Sequence, residues 1–215
     1  MQMSRNLTRF HLNRRLFLTL AGGSFALAAF CRPGAVQAQP APATATAFVK
    51  STGDRLVAII NAPGTPAEKQ PKLAQIIEAS VDVDAVAKFC LGRFWRTATP
   101  DQQAQYTKLF HNVLINNITG KLGDYQGVTF VVQQAQTRED NAIVGTTIQR
   151  PSNPASKVDW VVSGESGTPR VIDVIAEGTS LRLTQRSDYA AFLSRNGNNV
   201  QALIDAMRQQ LANTG

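Results

Sequence analysis

The stretch "TPDQQAQYTKLFHNVLINNITGKLGDY", residues 99–125, decides how the rest of the chain is read. Thr99 reads as an N-cap, Pro100 falls at the first helical position, and Gln102 completes a capping box. Tyr106, Leu109, Phe110, Val113, Leu114, Ile118, Leu122 and Tyr125 then form one apolar stripe over several turns. A stripe of that length needs a broad apolar surface to cover it. The residues that follow supply one: "VTFVVQQA" (128–135), "AIVGTTIQR" (142–150), "KVDWVVSGE" (157–165) and "RVIDVIAEG" (170–178) are β-rich runs separated by turn-rich breaks. Short connections between about four strands imply an antiparallel sheet.

Working outward, "NNVQALIDAMRQQLA" (198–212) closes the chain as a helix with Val200, Leu203, Ile204, Met207 and Leu211 on one side. Upstream, apolar residues recur at helical spacing from about Phe48 to Ile60, from Ala67 to Ile77, and from an N-cap at Asp82 to Leu91. Helices, then a meander, then a closing helix give an α+β fold with helices packed on one face of the sheet.

The N-terminus carries a different signal. In "NRRLFLTLAGGSFALAAF" the pair Arg14–Arg15 precedes an apolar run from Leu16 to Phe30, and "AVQAQP" places small residues, Val36 and Ala38, at −3 and −1 of a cleavage after Ala38. The run is shorter than the roughly 20 residues a bilayer span needs. Residues 1–38 therefore read as a cleaved export signal; Arg14–Arg15 with Phe17 and Leu18 fits the twin-arginine route, and a plain Sec signal fits equally. Phe30 is too bulky to precede a lipidated Cys31. Residues 39–47, "QPAPATATA", read as a Pro/Ala linker, which leaves 48–215 as one folded domain.

Export changes the electrostatics. The whole chain has a formal charge of +7, but five arginines and no acid lie in the first 38 residues. The remainder carries 17 basic and 15 acidic residues with no linear Lys/Arg cluster, so the case for a nucleic-acid partner disappears. Cys90 stands alone after cleavage, in the apolar helical context "AVAKFCLGRF", and reads as a buried structural thiol.

Catalytic vocabulary is sparse. Asp173 and Glu177 share a parity on a strand, but four residues at roughly 3.3 Å each part their Cα atoms by about 13 Å, against the roughly 5–9.5 Å between the carboxyl groups of a glycosidase pair. The spacing favours a structural role, with Asp173 on a solvated or interface face and Glu177–Gly178 organising the strand-end turn. His111 falls on the polar side of the long helix without Cys or His at metal-ligand spacing, and no G-x-S-x-G elbow supplies a nucleophile. "GESGTP" lacks the lysine of a phosphate-binding loop. The chain reads as a non-enzyme without a cofactor.

What remains is apolar surface on elements expected to face one another: Phe110, Leu114 and Ile118 on the helix, and Phe130, Trp160, Val162, Ile172, Val174 and Ala176 on the sheet. Two long blocks, "LGRFWRTATPDQQAQYTKLF" and "VIDVIAEGTSLRLTQRSDYAAFL", resemble the MlaC family of toluene-tolerance or phospholipid-binding periplasmic proteins, and the resemblance runs in order from about Leu56 to Leu211. It implies a curved, NTF2-like antiparallel sheet with a helical portion enclosing an apolar lipid cavity. It implies a periplasmic phospholipid carrier, taking cargo from an outer-membrane lipoprotein–porin complex and meeting an inner-membrane ABC transporter through its membrane-anchored substrate-binding protein. Ile118 and Thr179 match positions where the family lines its pocket, although Ile118 stands where an aromatic residue can occur. Phe94 and Leu181, within the two matching blocks, complete the expected lipid-binding set. A hopanoid-associated branch of the wider family (HpnM) keeps a hopanoid cargo open. An NTF2-like enzyme would need an acid in the cavity, and Asp173 is its one candidate.

Overall fold

The computed structural model describes residues 40–151, 153–165 and 167–213. The export signal expected at 1–38 lies outside the described residues. Among the described residues six α-helices and a curved, unclosed antiparallel sheet make an α+β fold.

The first helix, α1, spans Pro42–Asn61, and so begins within the segment expected to be a linker. Pro42 sits in its first turn, where a missing N–H costs nothing, and alanines, the strongest helix formers, follow it. Ala45 is wholly buried. A composition that reads as a spacer is here an ordered helix start, because one side of it has a surface to pack on.

Helix α2, Pro66–Ser80, opens with a capping box between Thr65 and Glu68. Helix α3, Val83–Leu91, has Asp82 as N-cap, its carboxylate accepting the Ala85 N–H at 3.0 Å. A 3-10 turn over Gly92–Arg96 leads to α4, Pro100–Thr119, whose Thr99–Gln102 capping box is formed as the sequence indicates. Helix α5, Leu181–Arg195, was not anticipated; α6, Val200–Ala212, was.

The sheet runs in sequence order: β1 Thr129–Arg138, β2 Asn141–Gln149, β3 Ser156–Ser163, β4 Arg170–Ala176 and the two-residue β5 Thr179–Ser180. Glu177 and Gly178, both at positive φ (48° and 78°), make the two-residue β4–β5 turn, which such a hairpin favours. β1 is an edge strand whose register shifts between Val132 and Ala135.

Two separate apolar cores result. One is helical, joining Tyr106, Phe110 and Val113 of α4 to Cys90, Leu193, Leu203, Ile204 and Met207. The other joins Ala45 and Val49 of α1 to Ala142, Val144 and Val162 of the sheet. The stripe of α4 is thus covered by α2, α3 and α6, and the helix that lies on the sheet is α1. Periodicity reveals that a face is covered; it does not say by what.

Candidate functional site

Strand register gathers the sheet half of the expected site. Directly opposed residues of an antiparallel pair point the same way, and so do alternate residues along a strand. The pairs Phe130↔Ile148, Val144↔Trp160, Ala142↔Val162, Trp160↔Val174 and Val158↔Ala176 therefore put Phe130, Trp160, Val162, Val174 and Ala176 on one face. Helix α1 crosses this face above β1 and β2. Gly53 makes the crossing possible: a Cβ there would overlap the Phe130 ring. At its far end α1 is tied to the start of the sheet, Asn61 donating to the Val128 carbonyl and accepting the Gly127 N–H.

The face is hydrocarbon. Trp160 donates its indole N–H to Thr146 Oγ at 3.0 Å, and the buried Thr146 hydroxyl donates in turn to the Val158 carbonyl at 2.8 Å. Both polar groups are satisfied within the sheet, so what the face presents has no unmet hydrogen-bonding demand. Val162 is fully buried under α1, whereas Phe130, Trp160, Val174 and Ala176 are half-buried.

The remaining candidates lie elsewhere. Phe94 and Phe110 belong to the helical core, Phe110 stacked edge-on against Tyr189 with ring centroids 6.4 Å apart, and Leu114 packs beside them. Ile118 is 39% exposed, Leu181 is 51% exposed at the start of α5, and Thr179 is exposed on the β4–β5 hairpin. Of these six only Thr179, opposite Ala176 in the β4–β5 register, points to the side of the sheet face, at its exposed hairpin end; the other five are not brought to it. The helix that covers the face is α1, with α2 packed on it. Leu56, Val57, Ile59 and Ile60 on α1 are half-buried, and Leu73 and Ile76 of α2, which packs on α1, α4 and β4, are buried in neither core. The apolar stripe of α4 is longer than that of α1, whose signal in the sequence is "RLVAII" (55–60). Lys69 of α2 is buried and donates to the Ile60 carbonyl at the C-terminus of α1 (2.8 Å), where the helix dipole favours a cation.

Asp173 is buried rather than on a solvated or interface face, and it points to the side of the sheet opposite Val174. Its carboxylate accepts the Ser180 hydroxyl at 2.6 Å and the Arg182 N–H at 3.1 Å, and lies 3.4 Å from Arg182 Nε. It anchors the first turn of the helix that was not anticipated. Glu177 lies outside β4, and its carboxylate accepts the Lys157 N–H at 2.7 Å while its own N–H donates to the Lys157 carbonyl. Both acids have structural partners. His111 pairs with Asp84 at 2.9 Å on the surface. Among the described residues no group of His, Cys, Asp or Glu gathers as a metal site.

Cys90 is 1% exposed, and burial first of all pushes its thiol up to about 12. At neutral pH it stays protonated and unreactive. Thiol-specific labelling of the native protein is expected to be negligible and to become complete on unfolding; fast labelling of the native state would contradict this placement.

Two surface clefts open on the helical side. One of about 410 Å³ lies between α5 and α6, lined by Tyr189, Phe192, Leu203 and Met207. The other, about 690 Å³, lies beside the Gly92–Arg96 turn and is lined by Arg93, Phe94, Arg96, Thr97 and Asn198. Among the described residues no helix is long and apolar enough to cross a membrane.

Comparison with known proteins follows the same architecture. The MlaC protein family matches over residues 50–209. Toluene tolerance protein ttg2D of Pseudomonas putida is 25% identical over 142 residues, which cover 65% of this chain and 66% of that relative, just under two thirds of its length. A solved structure, the phospholipid-binding protein from Ralstonia solanacearum in complex with a phospholipid, superposes with a TM-score of 0.69 at 24% identity, covering 79% of this chain and 98% of that one. At that identity the likeness is one of fold.

Proposed function

Since the chain belongs to the MlaC family, we propose that it is a periplasmic phospholipid carrier which holds acyl chains against the sheet face beneath α1 and α2. The observation that carries this reading is the hydrocarbon face of Phe130, Trp160, Val174 and Ala176, half-buried, with its polar groups already paired within the sheet. The Ralstonia protein of the same fold holds a phospholipid, which supports the same class of cargo here. Each buried methylene is worth roughly 0.8 kcal/mol, so a sixteen-carbon chain represents on the order of 12 kcal/mol of transfer free energy. An aqueous crossing therefore needs a protein surface in place of the bilayer, and release needs a partner that opens it.

In this reading the protein takes lipid from an outer-membrane lipoprotein–porin complex and exchanges it with an inner-membrane ABC transporter through the transporter's membrane-anchored substrate-binding protein. The work is binding and transfer, with no bond made or broken, in keeping with the structural employment of Asp173 and Glu177.

Protein purified without detergent from a Gram-negative periplasm is expected to carry one phospholipid, read by native mass spectrometry and by extraction. Lipid-free protein that takes up none from vesicles would sink the proposal. An extracted hopanoid would keep the carrier and change its cargo.

A further inference from the structure

The sequence has no linear run of cations, yet folding assembles one. Helix α5 lies on α3, so that Arg182 and Arg186 both sit over the Phe89 ring, 4.4 and 4.9 Å from its centroid. Arg186 also borders Gly92, whose positive φ of 59° turns the chain into the Gly92–Arg96 turn. There Arg93 lies over Phe94 at 4.8 Å, Arg96 follows one turn later, and both line the cleft of about 690 Å³ with Thr97 and Asn198. Lys88 extends the patch, 5.9 Å from the Trp95 ring.

Carboxylates nearby are already engaged or turned away. Asp173 is buried against Arg182, Asp84 pairs with His111, and Asp188 lines the other cleft. Arg93, Arg96 and Arg186 have no carboxylate partner among the described residues. A guanidinium lying over an aromatic ring, as those of Arg93 and Arg186 do, is partly immobilised and still has N–H donors to offer a carboxylate.

We propose that this surface, centred on Arg93, Arg96 and Arg186, is a docking site for an acidic segment of a partner protein. Arg93 and Arg96 line the open cleft and Arg186 lies beside Gly92 where the turn begins, so cations converge on one surface with no acid among the lining residues, and charge complementarity sets the sign of the occupant. The assignment holds whatever cargo the sheet face carries, since the patch shares only Phe94 with the expected lipid-binding set.

The test uses the full exported chain and a fluorescent synthetic peptide alternating glutamate and glycine, followed by anisotropy. Binding is expected to weaken about tenfold between low and physiological salt, and about tenfold in Arg93→Gln/Arg96→Gln, with Lys50→Gln on α1 unchanged. An unchanged thermal midpoint in the double variant makes the loss a loss of contact. Vesicles of phosphatidylglycerol and phosphatidylethanolamine are the competing occupant. Vesicle binding that the double variant abolishes while the peptide fails to bind would overturn the proposal in favour of a bilayer. Peptide affinity equal in the double variant and the parent would overturn it outright.

Discussion

Replacing Asp173 by alanine is expected to lower the free energy of unfolding by about 3–5 kcal/mol, the range for breaking one side of a buried, hydrogen-bonded charge pair. The carboxylate holds the Ser180 hydroxyl, the Arg182 N–H and, at 3.4 Å, the Arg182 guanidinium. Arg182 Nε is itself buried with no hydrogen-bond partner of good geometry, so the ion pair with Asp173 is its main compensation. Deleting the acid removes the ion-pair partner of the buried Nε and frees the first turn of α5 from the sheet. Asp173→Asn keeps part of the hydrogen bonding and is expected to cost less. Urea denaturation followed by circular dichroism measures both; a loss below about 1 kcal/mol in the alanine variant would show that α5 does not depend on this anchor. The result also bears on chemistry, because a stability loss with unaltered lipid handling is what a structural acid produces.

Lipid content in a Val174→Glu variant is expected to fall about thirtyfold. Val174 is half-buried on the hydrocarbon face beside Trp160. A carboxylate there denies contact to two or three methylenes, about 2 kcal/mol, before any desolvation penalty is added. The matched control is Val131→Glu. Val131 precedes Val132 on β1, points to the opposite face and is 66% exposed, so loading should be unaffected. Extraction and quantitative mass spectrometry of both variants, each checked for an unchanged fold, provide the comparison. Equal lipid content in Val174→Glu and Val131→Glu would remove the sheet face as the binding surface.

Much of the architecture was legible because local chemistry determined it. Thr99, Pro100 and Gln102 announce the start of α4, Asp82 that of α3, and Glu177–Gly178 the hairpin that follows β4. Alternation and turn composition located all four long strands. Helix α5 escaped notice for a physical reason. Leu181 and Leu183 prolong the apolar alternation of β4 across the hairpin, both are exposed, and what makes the segment helical is the Ser180 cap and the distant Asp173. The cap is local and was readable at Ser180; the hold of Asp173 on Arg182, nine residues away across the hairpin, depends on the fold. The partition of the candidate site has the same origin. Five of the six sheet residues share a face because parity is local, the sixth, Ile172, being skipped by the register shift at Val161/Val162, while Phe110, Leu114 and Ile118 were set opposite them on the assumption that the strongest stripe covers the sheet. Other helices were available to α4, and Tyr106, Phe110 and Val113 bury themselves among residues of α2, α3, α5 and α6. The weaker helix α1, whose first turns read as spacer, took the sheet.

Among the described residues the open meander leaves β1 with an unpaired outer edge ten residues long, the kind of border along which identical chains can add and extend into fibres. The register shift between Val132 and Ala135 interrupts it midway, and Gln133 is held back by its bond to Thr147 across the strand pair. A bulge bends and twists the strand locally, so a second molecule arriving in register meets a crooked template. The irregularity thus makes this edge a poor template for polymerisation through the chain's own backbone.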